Sequence, residues 1–180
     1  RDPRRLGATL GLTAVLHTDQ ATLDALDGLS GNNLGLANEA LRLSLDLKAL
    51  ATRASRYNGF NLILGDAQSL FYYSNKLPQA KLLSPGFYGL SNHLLDTPWP
   101  KVLRGKELLH GHMVETEHVN PPAIIHILSD SHRPPDHQLP QTGVGLDWER
   151  LLATIFIDGQ GYGTRSSAVI TVSDGGGIEF

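Results

Sequence analysis

The 180-residue chain contains no cysteine. Thiolate nucleophiles, disulfides and cysteine-ligated zinc are therefore excluded within it, and cysteine usage leaves the redox compartment undetermined. Clustered positive charge is also absent. Lys and Arg number 15 against 18 Asp and Glu, the formal net charge is -3, and no basic stripe forms. Nucleic acid is not an expected partner, because binding a polyanion requires grouped cations. Nor does any apolar run approach the ~20 residues of a membrane span, and no basic-then-apolar leader opens the chain. The expectation is a soluble, cytoplasmic protein with no membrane span. A 41% hydrophobic share with 18% charged residues suffices for one globular domain with a sizeable core. The chain opens at Arg1 with "RDPRRLG" rather than with Met. A processed terminus, an engineered one and an absent upstream segment would all look the same.

Apolar periodicity and turn residues divide the sequence. Ala8 to His17 reads as a buried strand, and the Gly- and Asn-rich stretch after it as a helical turn and loop. Leu41, Leu45, Ala49 and Leu50 recur at helical spacing, which predicts an amphipathic helix ending near Tyr57 to Gly59, where Asn58-Gly59 is a stop signal. Phe60 to Leu64 suits a strand buried on both faces. With Leu70 to Tyr73 it forms a hairpin whose tip lies near Gly65 to Gln68, closed by an exposed-looking Ser74-Asn75 pair. Pro85-Gly86 leads into a strand over Phe87 to Leu90. Asp96 or Thr97 then caps a helix that runs to about Leu109, packs Trp99, Val102 and Leu103 on one face, and wets Lys101, Arg104 and Lys106 on the other. A short helix follows Asn120, then a proline-rich loop, strands over Ile155 to Ile157 and Ala168 to Val172, and a turn at Gly175 to Gly177 into a last strand. Hairpin-paired strands with segregated helices indicate an α+β fold with mainly antiparallel sheets.

The eight histidines fit no familiar metal spacing. His110 and His112 are two apart, and His93, His118 and His126 have no i, i+4 partner; His132 and His137, beside Asp136, belong to a loop where solvated side chains are the ordinary case. Ser91, His93 and Asp96 supply the residue types of a triad, but no G-x-S-x-G elbow is present and a triad is defined by geometry. The stretches "DGQGYGTR" and "SDGGG" match neither a P-loop nor a dinucleotide fingerprint and read as turns. No catalytic or metal-ligating residue is assigned. Arg165, between a Gly-Tyr-Gly turn and a strand and beside Thr164, Ser166 and Ser167, could hold an anion or form a structural ion pair, and the sequence leaves both open.

"YNGFNLILGD", "YYSN", "PGFYGLSNHLLDTPWPKVLRGK", "LPQTGVG", "ERLLATIFI" and "YGTRSSAVITV", in that order, resemble the NRDE family, also called transport and Golgi organization protein 2-like proteins. The resemblance implies a four-layer αββα sandwich like that of N-terminal-nucleophile hydrolases. It also implies a single domain over residues 1–180 that lacks the family's N-terminal strand and nucleophile segment, since the family's opening Met-Cys and Asn-Arg-Asp-Glu motif are represented at most by Arg1-Asp2. Losing such a strand exposes a sheet edge, which invites a homodimer. For function the resemblance implies haem handling: a haem-binding, chaperone-like trafficking protein whose cargo is haem or a similar amphipathic molecule, acyl-CoA or lipid. Relatives are connected with the Golgi, endoplasmic reticulum and mitochondria. The alternative is an amide hydrolase whose nucleophile lies upstream. A chaperone has to release its cargo, so single axial ligation is preferable, and His93, just after the Ser91-Asn92 break, is the expected haem ligand. Asn58, Asn75, Ser91, Asn92 and Arg165 are expected to meet at strand ends and line the ligand pocket.

Overall fold

A computed structural model describes residues 14–18, 46–65, 69–77, 79–116, 119–172 and 177–180. In chain order these hold β1 (Ala14–Thr18), the end of helix α1 (46–51), a 3₁₀ turn (Ala54–Arg56), β2 (Asn61–Gly65), β3 (Leu70–Ser74), β4 (Lys81–Leu82) and β5 (Gly86–Leu90). Helices α2 (Pro100–Thr116), α3 (Pro121–Leu128) and α4 (Leu146–Leu152) follow, then β6 (Asp158–Gly159), β7 (Tyr162–Gly163), β8 (Thr171–Val172) and β9 (Ile178–Glu179). The result is a mixed helix and antiparallel-sheet structure, in the α+β class expected. Two compact units divide it. One comprises residues 17–86 and 172–178; the other comprises 1–16, 87–171 and 179–180.

The first unit is built on a hairpin. β2 and β3 pair antiparallel from Asn61 opposite Ser74 to Gly65 opposite Leu70, and β3 also pairs with β4. Phe71 and Tyr73 point to one side of β3 and join Leu47 and Ala54 in a core that Leu50, Phe60, Leu62 and Leu64 surround. Tyr72 and Ser74 point to the other side and are also buried, Tyr72 at 2% and Ser74 at 1% exposure. The strand buried on both faces is thus β3, whereas β2, expected in that role, is half-buried. Ser74 is no exposed terminus: its hydroxyl donates to the Phe60 carbonyl at 2.9 Å. Helix α1 ends at residue 51 rather than near Tyr57. The Thr52 hydroxyl bonds back to Ala49 O and the Arg53 amide to Leu50 O, three-residue spacings that tighten the chain into the 3₁₀ turn.

In the second unit β5 pairs with β1 and lies close to α2. A Cβ at Gly89 would sit 2.7 Å from Val102 Cγ1, so glycine sets the strand-to-helix distance. Val102, Leu109, Leu90, Ala153, Ile155 and Ile157 are its buried apolar residues. Ile155 and Ile157 are buried and Phe156 half-buried, but the segment forms no strand, because the Phe156 amide bonds to Asp130 O and the Ile157 amide to the Thr164 hydroxyl. A Trp148–Tyr162 edge contact at 5.5 Å ties α4 to the β6–β7 hairpin. The strand expected over Ala168 to Val172 shrinks to β8. The 8–13 part of the first expected strand, the 19–45 segment, the hairpin tip at 66–68 and the turn at 173–176 lie outside the described residues.

Helix α2 departs most from expectation. It continues to Thr116 instead of stopping near Leu109. Its first amides, of Val102 and Leu103, bond to the Trp99 carbonyl, so neither Asp96 nor Thr97 acts as its cap. The wet and dry faces are also rotated: Lys101 is 5% exposed and Leu103 56%. Lys101, Gly105 and Leu109, four residues apart, share the inward face with Val102, whereas Leu103 turns outward.

Candidate functional site

The segment from Ser91 to Trp99 joins β5 to α2, and Asp96 fixes its shape. Asp96 takes a left-handed backbone, φ 57°, which a short polar side chain tolerates better than most. Its amide donates to Gly89 O at 2.7 Å, and its Oδ1 accepts the Gly89 amide at 2.9 Å and Lys106 Nζ at 2.8 Å. The loop is thereby clamped to the strand it leaves.

His93 is exposed on this clamped loop. Its Nδ1 lies 2.8 Å from Thr97 Oγ1, and that hydroxyl donates its proton to Leu94 O at 2.7 Å. When the hydroxyl donates to Leu94 O it accepts from His93, and Nδ1 carries the hydrogen. In the neutral ring the lone pair is then on Nε2, the nitrogen that can ligate a metal. The Trp99 ring stands 5.5 Å away, tilted 43° to the imidazole. Of the neighbouring site candidates, Asn92 is exposed, while Ser91 is buried and its Oγ has no hydrogen-bond partner among the described residues. Arg165 is exposed on the irregular segment after β7 and has no ion pair among the described residues. Thr164, beside it, accepts the Ile157 amide.

Asn58 and Asn75 are brought together in the hairpin unit. Asn75 Nδ2 donates to the carbonyls of Asn58 at 3.0 Å, Ala54 at 3.1 Å and Tyr57 at 3.3 Å, and its Oδ1 accepts the Phe60 amide at 3.0 Å. One side chain thus holds residues 54–60 to the end of β3. Asn58, with Leu50, Tyr57, Gly59 and Phe60, lines a surface groove of about 520 Å³.

A different arrangement, not anticipated from sequence, surrounds the start of α2. Pro100, Lys101, Arg104, His132, Gln138 and Ile155 are among the residues lining a cleft of about 220 Å³. Arg104 grips Asp130 through Nε at 2.8 Å and Nη2 at 2.5 Å. That bond holds the Asp130 carboxyl below its usual range, and the His132 amide, which donates to Oδ1, adds to the effect. Lys101 Nζ donates to the Leu152 carbonyl at 2.8 Å, and burial pushes its pKa down to about 8. The clue in the sequence was the four-residue interval from Lys101 to Gly105 and Leu109. A lysine reads as wet by residue type, and here the interval outweighs the type.

Among the described residues no helix is long and apolar enough to cross a membrane, and no three His, Asp or Glu side chains gather into a metal-binding group. The family model for Transport and Golgi organisation 2 matches residues 34–180, beginning well upstream of the Tyr57 at which the quoted motifs start. The mouse Transport and Golgi organization 2 homolog is 32% identical over 147 residues, covering 74% of this chain and 53% of the mouse protein. The human and bovine homologs are each 33% identical over the same length and the same shares. The chain therefore spans about half the length of these curated relatives. With this extent of match, the chain belongs to the Transport and Golgi organisation 2 family.

Proposed function

We propose that this chain is part of a haem-binding, haem-trafficking protein of the cytoplasm, and that His93 is the single axial ligand to the cargo iron. The reading rests on the His93 tautomer. The Thr97 hydroxyl, its own proton given to Leu94 O, holds the neutral ring with the lone pair on Nε2, and ligation there would leave the Thr97 contact in place. A hydrogen bond at the far nitrogen orients a ligating imidazole and raises its basicity. Trp99, 5.5 Å from the ring, offers an aromatic surface to a flat amphipathic molecule. One ligand from an exposed loop is the economy a carrier needs, since two strong axial ligands would retain the iron. Acyl-CoA or lipid are the other amphipathic cargoes this surface would accept. The relatives are named for transport and Golgi organization, which accords with a carrier role. On the same reading the antiparallel ladders belong to a four-layer αββα sandwich of the N-terminal-nucleophile hydrolase type.

Haem titration of the chain followed by absorbance tests the proposal. A saturable Soret shift is expected, lost or blue-shifted in His93→Ala and weakened in Thr97→Val, which frees the imidazole to rotate. Saturable binding with an unchanged spectrum in His93→Ala would assign the ligand elsewhere, and no saturable binding by the parent chain would end the haem reading.

A further inference from the structure

Lys101 presents a physical problem that the haem reading does not use. An ammonium has three donors, and this one, 5% exposed, makes one hydrogen bond among the described residues, to the neutral carbonyl of Leu152. It forms no ion pair among them. Arg104 is occupied by Asp130, and Glu107, which also lines the cleft, acts electrostatically on Arg104. A buried charge without a counter-charge is costly. Leu152 is the last residue of α4, so part of that cost is offset by a cation at a helix C-terminus, but one carbonyl leaves two donors unmatched. Lys101 is in the first turn of α2, which has no acidic residue, so no carboxylate of that turn neutralises it; the Val102 and Leu103 amides are taken by the Trp99 carbonyl, which leaves the ammonium as the cleft's donor to a ligand. His132 lines the same cleft.

We propose that the cleft at the start of α2 is a binding site for a small anionic group, a carboxylate or a phosphate, with Lys101 as its charge partner. A space of about 220 Å³ is below the range that encloses a drug-sized molecule, so the site takes the anionic group alone, free or as the end of a larger ligand. The proposal is independent of the haem reading, whose ligand residue is outside the cleft lining.

The test uses the whole chain with inorganic phosphate and acetate as separate probes, which distinguishes the two chemistries. Amide NMR shifts at residues 101–104, 132 and 153–155 are expected to saturate with a Kd of about 1 mM or tighter for the preferred anion. Lys101→Arg should retain the response and Lys101→Met lose it. A second readout needs no variant: at ten times its Kd the anion occupies roughly ten sites in eleven, so acylation of Lys101, followed by peptide mass spectrometry, should slow about tenfold while exposed Lys48 reacts unchanged. Linear, unsaturated shifts with both anions, or a Lys101 acylation rate that neither anion changes, would overturn the proposal and leave Lys101 as a cap on α4. Saturation that persists in a folded Lys101→Met would also overturn it.

Discussion

Asn75 shows how one side chain can organise a loop. Its amide engages four backbone groups between Ala54 and Phe60, and an alanine there would leave a partly buried N–H and carbonyls without partners. Asn75→Ala should destabilise the hairpin unit by about 2 kcal/mol. Asn75→Asp should be comparably harmful, because a carboxylate can accept from the Phe60 amide but cannot donate to carbonyls. Urea denaturation followed by circular dichroism measures both, and an Asn75→Asp variant as stable as the parent would show that the donor half of the latch contributes nothing. The sequence marked Asn75 as a polar strand end. Its partners lie 15 to 21 residues away in the chain, and no local rule names them.

Between elements, the contact of β5 with α2 turns on Gly89. Gly89→Ala would place a methyl 2.7 Å from Val102 Cγ1, with Val102 among the most buried side chains. The helix has to shift, at a cost of about 1–3 kcal/mol. Both tryptophans, Trp99 and Trp148, belong to this unit, so the urea midpoint of Trp fluorescence reads the loss directly, and an unchanged midpoint would mean that β5 and α2 separate without cost. The β2–β3 hairpin, the start of α3 after Asn120 and the start of β5 were legible because local signals place them: paired apolar runs, prolines in a first helical turn, Pro-Gly before a strand. The limits of α1 and α2 were not. α1 is closed by a Thr52 back-bond, and α2 runs through the polar "HGH" because its inward face, set by Gly105 and Leu109, is continuous.

For the molecule as a whole, two ionic arrangements give stability a definite pH dependence. Asp130 is held below its ordinary range by Arg104, so its contribution is present above the usual carboxylate pKa of about 4 and is lost as pH falls through the lower folded value. Lys101 acts in the opposite sense. Its folded pKa is about 8 against 10.5, so between those values the unfolded chain binds more protons and stability rises with pH. The full burial penalty is present below about pH 8 and is relieved by 10.5, a gain of about 3 kcal/mol. Trp-fluorescence denaturation across pH 7.5 to about 10.5 should show that rise in the parent and not in Lys101→Met; parallel curves would mean that Lys101 titrates normally.

The sequence by itself determined the fold class, the hairpin and the absence of a thiol from these 180 residues, because alternation, turn residues and composition act over a few neighbours, and its ordered motifs carried the resemblance to the family. Tertiary structure decided which of those neighbours face inward. Lys101 is buried and Leu103 exposed in a helix that packs Val102 closely against Gly89 of β5, a glycine twelve residues before Lys101, at the far side of a clamped loop. The Thr97 hydroxyl is placed in the same way, within hydrogen-bond reach of both His93 Nδ1 and Leu94 O, and such three-body arrangements exist only once the chain has folded.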